Sequence, residues 1–240
     1  MNLYVSDTPD LLGQNAAKQA ATLINEAIHK NGTARILLST GASQFETLSH
    51  LRKADIDWSK VEMFHLDEYI GIPTTHPASF VKYLKERFEG NDLTLKQAHY
   101  IDGMADPEKM IADITAQIRK APIDVALIGI GENAHIAFND PPADFNTQAA
   151  FIIVQLDEAC KAQQVREGWF ATPDDVPKAA ITITPHEIMQ SKAIISAVPH
   201  AQKANAIKNT VENEVTNQIP ATLLKTHGNW SLYVDKASKP

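Results

Sequence analysis

Ile123-Asp-Val-Ala-Leu-Ile-Gly-Ile-Gly-Glu-Asn-Ala-His-Ile-Ala-Phe-Asn-Asp-Pro-Pro142 is the stretch that decides the fold. It begins as an apolar run of strand length and ends as a polar loop carrying Glu132, Asn133, His135, Asn139 and Asp140. A buried strand that delivers titratable groups at its C-terminal end is how open α/β sheets build active sites. The same residues nearly match a dinucleotide fingerprint, Gly129-x-Gly131-x-x-Ala134. That fingerprint needs its third small residue at the start of a long helix whose N-terminus holds a pyrophosphate. Pro141 and Pro142 follow too soon after Ala134 for such a helix to form. Asp157, which could imitate the ribose-binding acid, lies too far from the glycines. The two glycines are therefore expected to form a turn that lets backbone approach a small ligand.

Outward from this loop, strands and helices alternate. Thr8-Pro9 reads as an N-cap followed by a first-turn proline. Leu12, Ala16, Ala20, Leu23, Ile24, Ala27 and Ile28 then share one helical stripe, which Gly32 ends. Strands are expected at 35–40, 61–66, 151–156, 193–198 and 230–235, besides the one opening at Ile123. Helices are expected after the 41–44 turn, over 77–88 and 107–119, at 157–165 and 184–191, from about His200, and over 220–226. This order predicts a three-layer, Rossmann-like α/β fold, a mostly parallel sheet with helices on both faces. No linker, repeat or low-complexity segment interrupts it, so 1–240 reads as a single domain.

A chain of 240 residues buries roughly 70–75% of its unfolded surface and needs no disulfide or metal staple. The single cysteine, Cys160, excludes an internal disulfide framework and reads as a buried structural thiol in a helix. The N-terminal residues lack the basic start and apolar core of a signal peptide. No run approaches the ~18 apolar residues of a membrane span. A cytoplasmic location without membrane contact is expected. The net charge of −7 argues against a nucleic-acid partner. An anionic small-molecule substrate would then need positive charge supplied locally.

Three clusters carry chemistry. His135 and Asp140, five apart across a bend, can pair, and a carboxylate partner would make the imidazole a proton shuttle near neutral pH. In His65-Leu-Asp-Glu-Tyr-Ile-Gly71, strand alternation would put His65 and Asp67 on one face and Glu68 on the other. An acid at the tip of a parallel strand can act as a general base whose pKa burial raises, although capping the following turn would use Asp67 equally well. Metal binding by His65, Asp67 and His76 matches no standard spacing, and no metal is expected. Thr40-Gly41-Ala42-Ser43 joins a strand to a helix as a generic cradle for phosphate or carboxylate, without the P-loop lysine. Lys203 could add a point charge to a phosphate there, and Arg166 is a second candidate.

Together these segments resemble the glucosamine-6-phosphate deaminase (isomerase) family, which shares its fold with the 6-phosphogluconolactonases. The resemblance runs in order through Ser-Thr-Gly-Ala-Ser (39–43), Leu-Asp-Glu-Tyr-Ile-Gly (66–71), Gly-Ile-Gly-Glu-Asn-Ala-His-Ile-Ala-Phe-Asn-Asp-Pro (129–141), Ala-Ile-Thr (180–182), Gln-Lys-Ala-Asn-Ala (202–206) and Pro-Ala-Thr-Leu-Leu-Lys-Thr-His (220–227). It implies isomerising deamination of glucosamine 6-phosphate to fructose 6-phosphate and ammonia, with no cofactor. Asp67 would move a proton between C2 and C1. His135 would assist ring opening, with Asp140 as its acid partner and Asn133 beside it. Thr40 to Ser43, Glu68, Lys203 and Arg166 would hold the sugar phosphate. The same chemistry on the galacto epimer fits equally, and so does a non-catalytic sugar-phosphate-binding module. A regulator of that kind would carry a helix-turn-helix, for which no extra N-terminal segment is seen. Self-association is left open.

The sequence departs from the family pattern in four places. Ala134 replaces the usual glycine before the histidine, where its methyl is expected to impose a negative φ or narrow the pocket. Asp140 stands where glutamate is more usual, and Arg166 is about one residue out of register with the family's phosphate-clamping arginine. The phosphate turn itself reads Gly-Ala-Ser, where the family has Gly-Gly-Thr or Gly-Ser-Thr.

Overall fold

The structure is a computed structural model that describes residues 1–90, 92–166 and 168–240. In chain order the first half runs β1 (Asn2–Ser6), α1 (Pro9–Asn31), β2 (Ala34–Leu38), α2 (Phe45–Leu51), β3 (Val61–His65), β4 (Asp67–Tyr69), α3 (Phe80–Leu84), β5 (Gln97–His99) and α4 (Pro107–Ile118). The second half runs β6 (Val125–Leu127), β7 (Phe151–Gln155), α5 (Glu158–Arg166), β8 (Ala179–Ile183), α6 (Pro185–Ile188), β9 (Ile194–Val198), α7 (Ala204–Glu212) and β10 (Trp230–Asp235). Residues Pro220–Thr226 form a 3-10 helix.

Seven strands make a wholly parallel sheet in the order β1-β10-β9-β6-β2-β3-β5. Alternation along each strand feeds two cores, as a pleated strand must. Ile36 and Leu38 of β2 pack with Leu12, Ala16, Ala20 and Ile24 of α1 and Leu48 and Leu51 of α2. Leu37 faces the other way, in the core shared by Ile114 and Ile118 of α4, Ile188 of α6 and Ile207 of α7. The caps read from sequence are present. Thr8 Oγ1 accepts the Leu11 N–H at 3.2 Å, and Gly32 ends α1 with a left-handed φ of 77°. None of the described helices is long and apolar enough to cross a membrane.

Two features depart from the expected layout. The strand at 151–156 forms, but outside the central sheet: β4, β8 and β7 make a second, antiparallel sheet. The chain therefore changes sheets at Leu66, whose carbonyl accepts the Ile183 N–H at 2.8 Å. His65 and Asp67 belong to different sheets, and simple alternation does not place them on one face. The strands β1, β5 and β8 were also not marked by the pattern. β5 is only three residues long and begins and ends in polar residues, Gln97 and His99. β8 is buried along nearly its whole length and shows no alternation.

The second sheet is held against the first by a close backbone crossing. The Gly71 N–H donates to the Gly103 carbonyl at 2.8 Å. A Cβ on Gly103 would overlap the Tyr69 carbonyl of β4. Gly103→Ala is expected to cost about 1–3 kcal/mol through overpacking, lowering Tm by roughly 2–4 °C per kcal/mol. Thermal unfolding of the variant checks this.

Candidate active site

A cavity of about 650 Å3 opens at the C-terminal ends of β3, β2, β6 and β9. The chain leaves β2 for β3 on one side, and β6 is added on the other, so the strand order reverses between β2 and β6. Connections diverge at such a switch point and leave a crevice. Each of the four strand ends contributes to the wall.

From β2 come Ser39 and the turn Thr40, Gly41, Ala42 and Ser43, all lining the cavity. Gly41 has φ 100° and ψ 167°, a conformation open to glycine, and leads into a 3-10 turn continuous with α2. The Tyr83 hydroxyl donates to the Gly41 carbonyl at 3.0 Å. Ser39 Oγ accepts the Gly129 N–H at 3.1 Å and so joins this turn to the loop after β6. From β9 come His200, Gln202 and Lys203. His200 sits at φ 81°, and its N–H donates to Asp235 Oδ2 at 3.1 Å. Arg166, at the end of α5, also lines the cavity and lies 3.6 Å from Glu132 in an exposed ion pair.

The loop after β6 carries a histidine–carboxylate pair. His135 Nδ1 lies 3.0 Å from Asp140 Oδ1, which also accepts Asn133 Nδ2 at 2.8 Å. Asn133 Oδ1 in turn accepts the His135 N–H at 3.1 Å. Burial pushes the Asp140 carboxyl up, but the bonds from His135 and Asn133 outweigh it and hold it below the usual carboxylate range. An ionised carboxylate is acceptor-only, so the proton of the neutral imidazole sits on Nδ1 and Nε2 is the basic nitrogen. Asn133 is exposed behind the loop, so it braces the pair without lining the cavity. Asn139 is buried and ties the loop to β8, its Nδ2 donating to the Ile136 and Ile183 carbonyls at 2.8 and 2.9 Å.

Ala134 does not take the expected negative φ. Its φ is 66°, and Ala137 follows at 51°. The Ala134 methyl points into the hydrophobic core, and its carbonyl accepts the Ala221 N–H at 2.9 Å. The extra methyl therefore leaves the pocket as wide as glycine would.

Asp67, at the start of β4, is 7% exposed and lines the cavity. Burial, aided by the neighbouring Glu68 charge, pushes its carboxyl up to about 8. Glu68 itself is not at the cavity. Its Oε2 accepts Ser79 Oγ at 2.6 Å and the Val81 N–H at 3.0 Å, and its Oε1 accepts the Tyr69 and Phe80 N–H groups at 2.9 and 3.3 Å. These donors include free N–H groups of the first turn of α3, so Glu68 holds a helix start and is not placed to touch a ligand. His65 accepts the Ile101 N–H on Nε2 at 2.9 Å, and burial holds its pKa down to about 4. His76 Nδ1 accepts the Ala78 N–H at 3.1 Å. Among the described residues no group of three or more His, Cys, Asp or Glu side chains could hold a metal ion.

The cavity also brings in residues that sequence reasoning passed over. Phe80, Phe138 and Trp169 form an aromatic wall, and Gln164 Oε1 accepts the Tyr69 hydroxyl at 2.7 Å. Ser39 opens the 39–43 motif without having been given a role, and His200 adjoins a motif that was read; the turns that aim them depend on Gly129 and Asp235, distant in sequence. Cys160 is buried, packed with Tyr69, Phe138 and Phe170.

A parallel sheet with a crevice at its switch point, lined by a carboxylate, a carboxylate-backed histidine and two cations, places the protein in the class of open α/β proteins that bind small ligands at the strand ends. The chain belongs to the family described as glucosamine-6-phosphate isomerases/6-phosphogluconolactonase, whose profile matches residues 7–232. It is 35% identical over 216 residues to a glucosamine-6-phosphate deaminase of Streptococcus suis, covering 87% of this chain and 88% of that one. A deaminase of the same name from Bacillus cereus is 32% identical over 237 residues, 98% of this chain and 87% of that one. A solved monomeric glucosamine-6-phosphate deaminase superposes with a TM-score of 0.90 at 27% identity, covering 99% and 98% of the two chains. The 6-phosphogluconolactonase of Thermotoga maritima shares the fold, with a TM-score of 0.80 at 16% identity over 98% and 99%.

Two stability measurements follow from this geometry. An Asp67 carboxyl raised from 3.8 to about 8 favours the folded state fully below pH about 4, and that advantage is lost as pH rises through about 8. Asp67→Asn cannot ionise, so its Tm should exceed that of the parent by a margin that grows from pH 5 to pH 8, reaching several degrees. A margin independent of pH would show that Asp67 is not raised. At Ala134, glycine relieves a left-handed alanine, worth about 1 kcal/mol, but adds unfolded-state entropy of similar size. Ala134→Gly should therefore leave unfolding free energy in urea within about 1 kcal/mol of the parent.

Proposed function

We propose that the protein catalyses isomerising deamination of glucosamine 6-phosphate, giving fructose 6-phosphate and ammonia. One observation carries this reading: the raised carboxyl of Asp67 and the Asp140-backed His135 open onto one cavity that also holds the 40–43 turn, Lys203 and Arg166. The curated relatives named for this reaction support it.

His135 Nε2 takes the proton of the C1 hydroxyl and passes it to the ring oxygen as the C1–O5 bond breaks, which leaves the open aldehyde and a neutral imidazole. Asp140 stays ionised and stabilises the imidazolium that forms transiently. Asp67 as carboxylate removes the C2 proton of the open aldehyde, leaving an enolamine, and returns it to C1. The product is an imine at C2. Water adds to that carbon and ammonia leaves, giving the ketose. Deep burial suits Asp67 to this task, because a base of raised pKa holds the abstracted proton until C1 receives it. The phosphate lies at the turn Thr40 to Ser43, with Lys203 as a point charge and Arg166 exchanging Glu132 for the anion. Asn133 acts through Asp140, and Glu68 acts through the placing of Asp67.

The test is ammonia release from purified protein given glucosamine 6-phosphate or its galacto epimer. The gluco substrate is expected to turn over, with kcat/KM rising with pH through about 8 as Asp67 ionises. Asp67→Asn should lose about 100-fold or more in kcat and abolish solvent exchange at C2, with affinity within a few-fold. No ammonia from either epimer, despite binding, would reduce the protein to a sugar-phosphate binder.

A further inference from the structure

The two glycines of the apparent dinucleotide fingerprint have different reasons to be glycine. Gly129 is only mildly crowded: a Cβ there would meet Gln44 Nε2 at 3.3 Å, close enough that the amide must shift by a few tenths of an ångström, and Ser39 Oγ at an ordinary 3.6 Å. Gly131 has none, because its Cβ would fall inside the imidazole of His135, overlapping Nε2, Cε1 and Cδ2. Backbone conformation does not demand glycine at Gly131, which is absent from the residues of positive φ. The 131–135 segment folds back on itself, with the Gly131 N–H donating to the His135 carbonyl at 2.9 Å and the Ala134 N–H to the Gly131 carbonyl at 3.0 Å. This reverse turn lays the side chain of His135 over the α-carbon of Gly131.

We propose that Gly131 is a positioning residue for His135: its missing side chain is the berth that holds the imidazole with Nδ1 on Asp140 and Nε2 at the cavity. Asp140 fixes one edge of the ring and Gly131 bounds one face. A methyl at 131 takes the space of the nitrogen that would exchange protons with substrate, and the ring can leave that space only by giving up Asp140. The berth stands on geometry alone, and its effect on catalysis rests on the deaminase reading.

The experiment compares Gly131→Ala, His135→Ala, the double variant and Gly129→Ala. In 15N spectra of histidine-labelled parent protein at high pH, His135, assigned by its loss in His135→Gln, should show the Nδ1–H tautomer that Asp140 imposes. Gly131→Ala should lose that tautomer, and Gly129→Ala should keep it. The Tm loss caused by Gly131→Ala should vanish in the His135→Ala background, where the methyl has room. Ammonia release by Gly131→Ala should fall about 100-fold, the scale of a 1 Å misplacement. Its affinity for the reduced open-chain 2-amino-hexitol 6-phosphate, which needs no ring opening, should stay within a few-fold. The parent tautomer persisting in Gly131→Ala, or an equal Tm loss in both backgrounds, would overturn the berth. If Gly131→Ala fails to fold, folding of the double variant supports the proposal and its failure to fold overturns it. A parent protein that releases no ammonia removes the deaminase reading, while the tautomer and the Tm cycle still decide the berth.

Discussion

The reversal of strand order between β2 and β6 is the constraint on which the rest of the molecule depends. Parallel strands need long crossovers, and crossovers leaving in opposite directions cannot cover the strand ends between them. The uncovered ends of β3, β2, β6 and β9 are where the chain places its acid, its histidine and its cations. Alternate residues of each central strand are committed to one core or the other, so a strand cannot slide without exposing apolar surface.

Two carboxyl groups beyond the C-terminal ends of the central strands are pushed in opposite directions. Asp67 is buried beside another acid and is raised to about 8. Asp140 is also partly desolvated, yet hydrogen bonds from His135 and Asn133 hold it ionised. Environments that separate like groups in this way mark acid–base sites. The cost of burying Asp67 falls on the second sheet, where Glu68 satisfies the start of α3 and the Gly103 crossing fixes β4.

The antiparallel sheet β4-β8-β7 gives the site its precision. It receives the chain at Leu66, holds Asn139 through the Ile183 carbonyl and holds Phe138 through Thr182 Oγ1. The loop after β6 and the strand bearing Asp67 are thus fastened to the same strand, β8. Ala134 and Ala137 keep left-handed backbone in this loop, a conformation that persists where surrounding structure over-determines it. The bonds to Ala221, Thr182 and Ile183 are that surrounding structure.

The sequence by itself determined the alternating α/β order, the helix caps and the proline stop that denies a dinucleotide helix, because periodicity, capping and proline sterics act over a few residues. It also marked Asp67, Asn133, His135, Asp140, the 40–43 turn, Glu68, Lys203 and Arg166 as residues with chemistry to offer, and the structure brings all but Asn133, Asp140 and Glu68 onto the cavity wall. Only the tertiary structure decided that β4, β7 and β8 leave the central sheet, that Glu68 caps a helix, that Ala134 turns its methyl inward and that Gly131 must be bare. Each of these depends on a partner brought near by folding: Ile183 for Leu66, Ser79 and Val81 for Glu68, Ala221 for Ala134, and the returning imidazole for Gly131. A local pattern names the group, but its protonation state and its aim are set by what long-range packing places against it.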